Sequence, residues 1–251
     1  MHGLTTISIT DFATPGVTIN TAWQLLPPAR TVDLCRLETD DEPNWACYHT
    51  AFRPDGFRRA YASVKNYIPK QWPRDITFID QWIMPGWDCT PFGSKSPSAK
   101  PARWTNELIQ FAADLNLPIQ ENLAETRDGA LPLGSIAATL NFAAQQEKAR
   151  KAGVTNWREL SDDGSLEEDG SKAFKHSLVH ATLSMTTEIK RSLPEEGVRW
   201  LMLRTDFKTI RNGRMDQQVL IFDEELNLIA ISQHVLQIIK GTAKSSRSSS
   251  L

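Results

Sequence analysis

A chain of 251 residues, 40% hydrophobic and 23% charged, is long enough for one large globular domain or two small ones. Its formal net charge of -2 supplies no field that would recruit nucleic acid or an anionic membrane surface. Cys35, Cys47 and Cys89 form no CxxC pair, which excludes a disulfide framework and zinc-ribbon or thioredoxin-like sites, and suits a reducing, cytoplasmic compartment. No apolar run approaches the length of a membrane span, and no charged segment followed by a long apolar one marks a signal peptide.

In chain order, Leu4–Phe12 opens with strand-like alternation. Thr21–Arg30 runs into Pro27-Pro28, which excludes regular structure there. Thr31–Pro54 is mixed and acidic and reads as a linker or surface loop, and Ala60–Pro69 and Ile76–Met84 read as strands. Gly86–Ala102, rich in Pro, Ser, Gly and Lys, is a loop. Five of the eight tryptophans (Trp45, Trp72, Trp82, Trp87, Trp104) lie close together in sequence and are read as core and loop anchors. Leu108, Phe111, Ala112 and Leu115 recur at helical spacing after Thr105, an N-cap candidate, so Asn106–Leu115 reads as a helix with one buried face. Its small residues Ala112 and Ala113 would let a sheet approach closely. Ser135–Ala152 is an Ala-rich helix with basic residues at its C-terminal end and Gly153 closing it. An acidic loop follows at Ser161–Lys172.

The run from His180 to Ile239 reads as four antiparallel strands separated by turn signals, with Asn212-Gly213 the hairpin signal between two of them. Residues 241–251 read as a disordered tail. One buried helix followed by long antiparallel strands predicts an α+β arrangement, a curved sheet wrapped around a helix.

Several stretches, in this order, resemble the acyl-CoA thioesterase II group of double-hotdog proteins, and especially a fungal thioesterase-like branch. They are TAWQLLPPARTVDLCRL, TNELIQFAADLNLP, TLSMTTEIKRSLPEEGVRWL, the Asn212–Asp216 turn and LIAISQHV. The resemblance covers roughly Thr21 to Ile239. It implies a hotdog fold: the second half of a double hotdog plus a remnant of the first. Residues 1–59 would be that remnant and a linker, 60–240 the hotdog domain and 241–251 a tail. It also implies hydrolysis of an acyl thioester, acyl-CoA foremost, by a positioned water. The alternatives are a non-catalytic acyl-binding or scaffolding hotdog protein and an enzyme of polyketide release or cyclisation. A partial hotdog leaves a sheet edge and an apolar face uncovered, so a homo-oligomer is expected. No cofactor, nucleic acid or membrane partner is expected.

For the site, the resemblance implies an Asp, a Thr and a Gln. Carried over, the Asp position falls at Ser184, the Thr position near Lys208 or Thr209, and the Gln position at Gln233 or His234. His234 is the candidate general base, with Thr209 or Ser184 orienting water. Asp114, on the central helix but off the centre of its apolar stripe, is the remaining candidate; the alternative for it is a helix-to-loop hydrogen bond. His176 and His180 stand four apart, but in a segment that reads as a strand entry, so no metal site is expected. Arg211 and Arg214 flank the Asn-Gly turn, where a solvated tip or a contact to CoA phosphates are the two readings.

Overall fold

The computed structural model describes residues 24–49, 59–72, 77–86, 101–117, 135–155, 157 and 178–240. The expected strand at Leu4–Phe12, most of the loop after Gly86, the acidic loop at Ser161–Lys172 and the 241–251 tail lie outside them.

Among the described residues, seven strands build one antiparallel sheet: β1 (Trp45–Tyr48), β2 (Val64–Pro69), β3 (Phe78–Pro85), β4 (Leu178–Ile189), β5 (Leu201–Arg211), β6 (Arg214–Phe222) and β7 (Leu228–Lys240). Their spatial order is β1-β2-β3-β5-β6-β7-β4, so β1 and β4 are the edges among the described residues. The helices are α1 (Leu34–Glu38), α2 (Ile109–Ala113) and α3 (Ile136–Lys151).

The β5–β6 turn forms as its sequence demands. Asn212 (φ 53°) and Gly213 (φ 71°) both take the left-handed conformation that a two-residue hairpin turn needs. The β6–β7 turn is held by the Asp223 carboxylate, which accepts from the backbone N–H of Glu225 and Asn227. Before β5, Gly197 (φ 73°) lets the loop lie against the chain ahead of α2, where an added Cβ would stand 2.4 Å from the Trp104 carbonyl oxygen. Asn106 completes that junction: its side chain accepts from Leu193 N and donates to Leu193 O. Thr105 makes no side-chain cap bond, and the helix begins instead as a 3-10 turn over Asn106–Leu108. Ser135 caps α3 by accepting from Ala138 N, as its position suggests.

Side-chain alternation divides the sheet into two faces. On the inner face Leu201, Leu203, Val219, Ile221 and Ala230 pack against Ile109, Ala112, Ala113 and Leu115. Ala112 and Ala113 are fully buried, so the small side chains do allow the close helix–sheet approach read from the sequence. Each fully buried Leu or Ile here contributes about 1.5–3 kcal/mol. Farther along, α3 packs against β1, with Ala143 and Ile136 meeting Ala46, Tyr48 and Ile68.

The outer face carries Trp45, Tyr67, Trp82, Trp200, Met202 and Phe222 beneath Leu25, Val32, Leu34 and Leu37. The segment read as a linker is therefore structural. Within Thr31–Pro54, α1 covers the outer face and β1 extends the sheet. Acidic neighbours mask the four-residue WACY strand in the sequence. Arg204 anchors the covering segment from below. It grips Asp80 with two bonds of 2.6 and 2.7 Å and donates to the Pro27 carbonyl at 2.6 Å.

Candidate functional site

At the C-terminal end of α2 the inner face turns polar. Transverse rows of the sheet can be read from strand register. One row is Phe207–Gln217–His234–Met185, and its neighbour is Thr205–Val219–Ser232–Thr187. Gln217, Ser232 and His234 are buried, so each needs partners. They find them in one chain of hydrogen bonds. Thr187 Oγ1 meets Ser232 Oγ at 2.7 Å, and Ser232 Oγ meets His234 Nε2 at 2.9 Å. Gln217 Nε2 donates to His234 Nδ1 at 3.2 Å and to Asn116 Oδ1 at 3.1 Å. Asn116 Nδ2 in turn donates to the Ala113 carbonyl, which fixes the chain to the helix end. With Nδ1 accepting, His234 carries its proton on Nε2 and is neutral.

Asp114 caps α2 and lies half-buried beside this chain. The Tyr61 hydroxyl donates to its Oδ2 at 2.5 Å. Tyr61 is steadied by an edge-on contact with Phe111, ring centroids 5.8 Å apart. Burial pushes the His234 pKa down, and the Asp114 charge pulls it partly back, so the carboxylate and the imidazole sense each other. A second amide pair closes the other flank: Gln81 Nε2 donates to Asn66 Oδ1 at 2.8 Å and to the Leu115 carbonyl at 3.1 Å.

Among the described residues, two buried acceptors here have no hydrogen-bond partner, Gln217 Oε1 and Gln81 Oε1. Leaving a buried acceptor unmet costs about 1–3 kcal/mol. A ligand or water that donates would recover that. The arrangement as a whole can hold a polar molecule between a fixed carboxylate, a neutral imidazole and two amides.

The five residues singled out from the sequence divide between the faces. His234 and Asp114 come together on the inner face. Ser184, Thr209 and Gln233 do not join them; all three are exposed on the outer face. The cause is two β-bulges. An extra residue at Leu183 shifts β4 between Thr182 and Ser184, and another at Lys208 shifts β5 between Phe207 and Thr209. A one-residue shift turns the following side chains to the opposite face. Ser184 pairs with Val235, Val235 with Asp216, and Asp216 with Thr209. Three strand spacings therefore separate Ser184 from Thr209, about 14 Å. The choice between Gln233 and His234 is also a choice of face, and the inward residue is His234. Arg211 and Arg214 are exposed at the β5–β6 tip.

Tyr61, Gln217, Asn116, Ser232 and the Gln81–Asn66 pair escaped the sequence reading. A signal for some of them exists: Gln217 and Ser232 stand at inward positions of β6 and β7 where the alternation calls for apolar side chains.

A family model described as the acyl-CoA thioesterase C-terminal domain matches residues 7–238. Among curated proteins, the chain is similar to the thioesterase-like protein TwmA of Talaromyces wortmannii, 42% identical over 71 residues, which is 27% of this chain and 20% of that one. The chain thus spans about a fifth of that relative's length. Among solved structures, a thioesterase from Haemophilus influenzae is 12% identical, covering 70% of this chain and 78% of that one at a TM-score of 0.29. A thioesterase family protein from Silicibacter pomeroyi is 8% identical, covering 74% and 91% at a TM-score of 0.33.

Proposed function

Since this chain belongs to the acyl-CoA thioesterase C-terminal domain family and has the hotdog fold, we propose that it hydrolyses an acyl thioester, acyl-CoA foremost, with Asp114 positioning the attacking water. The observation that carries this reading is the Tyr61–Asp114 pair beside the buried His234 chain. Tyr61 occupies Oδ2 and fixes the carboxylate plane, leaving Oδ1 to accept from a water. A carboxylate held in one orientation removes a proton from that water as its oxygen attacks the thioester carbonyl. The tetrahedral oxyanion then needs donors. The amide groups of Gln217 and Asn116 are the nearest candidates by chemistry, once a substrate displaces their mutual bond. Collapse expels the CoA thiolate, a good leaving group, so a strong general acid is unnecessary. His234, neutral and tied at both nitrogens, serves as a positioning residue that keeps Gln217 in place.

The test is release of free thiol from acyl-CoAs of graded chain length by the purified chain. Turnover that is lost in Asp114→Asn supports the proposal. Saturable acyl-CoA binding with no thiol release at any chain length would instead make this a non-catalytic acyl-binding hotdog protein.

Self-association belongs to the same proposal. β4 is a long edge strand, and Leu183 beside its bulge is 52% exposed. Light scattering that reports a clean monomer would remove it.

A further inference from the structure

A cavity of about 260 Å³ opens at the other edge of the sheet, away from Asp114. Its walls are Leu37, Trp45 and Tyr67 on one side and Leu140, Ala143 and Ala144 of α3 on the other, with Cys47 of β1 between them. The backbone of β1 faces it. Lys70 N donates to Asn44 O, so the pairs 44–70, 46–68 and 48–66 carry the β1–β2 hydrogen bonds. Residues 45, 47 and 49 therefore point their N–H and C=O groups outward, to the open edge. At residue 49 those groups are satisfied by a side chain. Gln146 Oε1 accepts from His49 N at 2.8 Å, and Gln146 Nε2 donates to His49 O at 2.9 Å. One carboxamide thus stands in for the next strand.

Two residues earlier, Cys47 presents the same donor–acceptor pair with no partner among the described residues. Beside it α3 carries Ala143 and Ala144, whose methyl side chains offer no group that could pair with the Cys47 backbone. The cavity begins where Gln146's cover ends. Its rim carries both signs of charge. Asp40 is bound to Arg150 at 2.5 Å, and Glu147 to Lys151 at 2.6 Å. Glu42 and Lys70 line it as well, so with Lys151 the rim carries three acidic and three basic groups, and this balance favours a neutral head group over an anion or a cation.

We propose that this cavity binds a small neutral ligand through an amide, lactam or carboxamide that pairs with the Cys47 backbone, as Gln146 pairs with His49, with the ligand's apolar body between Trp45 and Tyr67 and the alanines of α3. The site is separate from the Asp114 centre and stands or falls without it.

Benzamide is the probe, with methyl benzoate and benzoate as controls, followed by amide NMR shifts of the full chain. Millimolar benzamide is expected to shift the Cys47 amide saturably. Methyl benzoate, which cannot donate, should bind roughly 2- to 12-fold more weakly, the worth of one net hydrogen bond. Ala144→Leu, at an exposed helical position that tolerates Leu, should fill the space and abolish the shift. Asp114→Asn should bind benzamide as the unaltered chain does, which separates this site from the hydrolytic one. No saturable shift, equal binding of the ester or of benzoate, or undiminished binding in Ala144→Leu would each overturn the assignment.

Discussion

Two buried polar groupings sit on opposite faces of the same sheet, and they are built differently. On the outer face Asp80 and Arg204 form a closed unit: charge cancels charge, two parallel bonds join them, and the third guanidinium donor goes to Pro27. Both side chains are almost fully buried, at 3% and 4% exposure. On the inner face Gln217, His234, Ser232 and Asn116 are neutral, and the carboxylate beside them is paired with a hydroxyl rather than a cation. Buried acceptors are left over at Gln217 and Gln81. A saturated pair fixes architecture, because nothing further can bind to it. An unsaturated set next to a half-exposed carboxylate retains capacity for a substrate. Under the proposed hydrolysis, the contrast assigns the chemistry to the inner face and a structural part to the outer face.

The largest expected break comes from Asp114→Asn. Losing a general base costs typically 10²–10⁴-fold in turnover. Thioesterase assays should show that loss while urea unfolding shows a fold close to the unaltered one. The structural pair should respond in the opposite sense. Arg204→Ala strands the Asp80 carboxylate and should cost about 3–5 kcal/mol of stability. The double replacement Arg204→Met with Asp80→Leu should recover most of it, since a well-packed apolar pair often matches a buried ion pair. If the double variant stays as unstable as the single one, the Pro27 contact rather than the ion pair holds that face.

Tyr61→Phe sharpens the chemical side. It removes one hydrogen bond to a charged acceptor, a contribution of about 1.5–3 kcal/mol. Turnover should fall by roughly tenfold or more, with the substrate KM little changed, because the carboxylate is mis-set while the pocket remains. His234 gives a pH test. Burial lowers its folded pKa below the ordinary value of about 6.5. As pH falls through about 6.5, the unfolded chain takes a proton that the folded chain refuses, so stability drops. The loss is complete only below the folded pKa, and within that window it approaches 1.4 kcal/mol per pH unit. Urea midpoints on either side of about pH 6.5 should show this slope. His234→Gln should flatten it, and Asp114→Asn should deepen it by removing the charge that favours the imidazolium.

Much of the fold was legible because local signals carried it. Asn212-Gly213 forces its hairpin, Ala112 and Ala113 announce a helix pressed on a sheet, and Ser135 and Gly153 bracket α3. β1 was not, since four residues inside an acidic stretch give no period to read. Of the candidate site, the sequence singles out His234 and Asp114, which the fold brings together on the inner face, but not the residues around them. Alternation assumes an unbroken ladder, and the bulges at Leu183 and Lys208 break it just before Ser184 and Thr209. Tyr61 lies 53 residues from Asp114, a contact that only the folded sheet creates.

The smallest effects test the assignment of faces itself. Ser184, Thr209 and Gln233 are exposed on the outer surface, away from the buried chain. Each replaced by Ala should change stability by about 0.5 kcal/mol or less, the usual reach of an exposed substitution. On the same scale, turnover should stay within about twofold. Thr187→Ala is the matched control, because Thr187 lies on the same strand as Ser184 but bonds inward to Ser232. It should perturb turnover more than Ser184→Ala, although the two residues are only three apart. A tenfold loss from any of the three exposed alanines, with Thr187→Ala silent, would place the chemistry on the outer face and reverse the comparison.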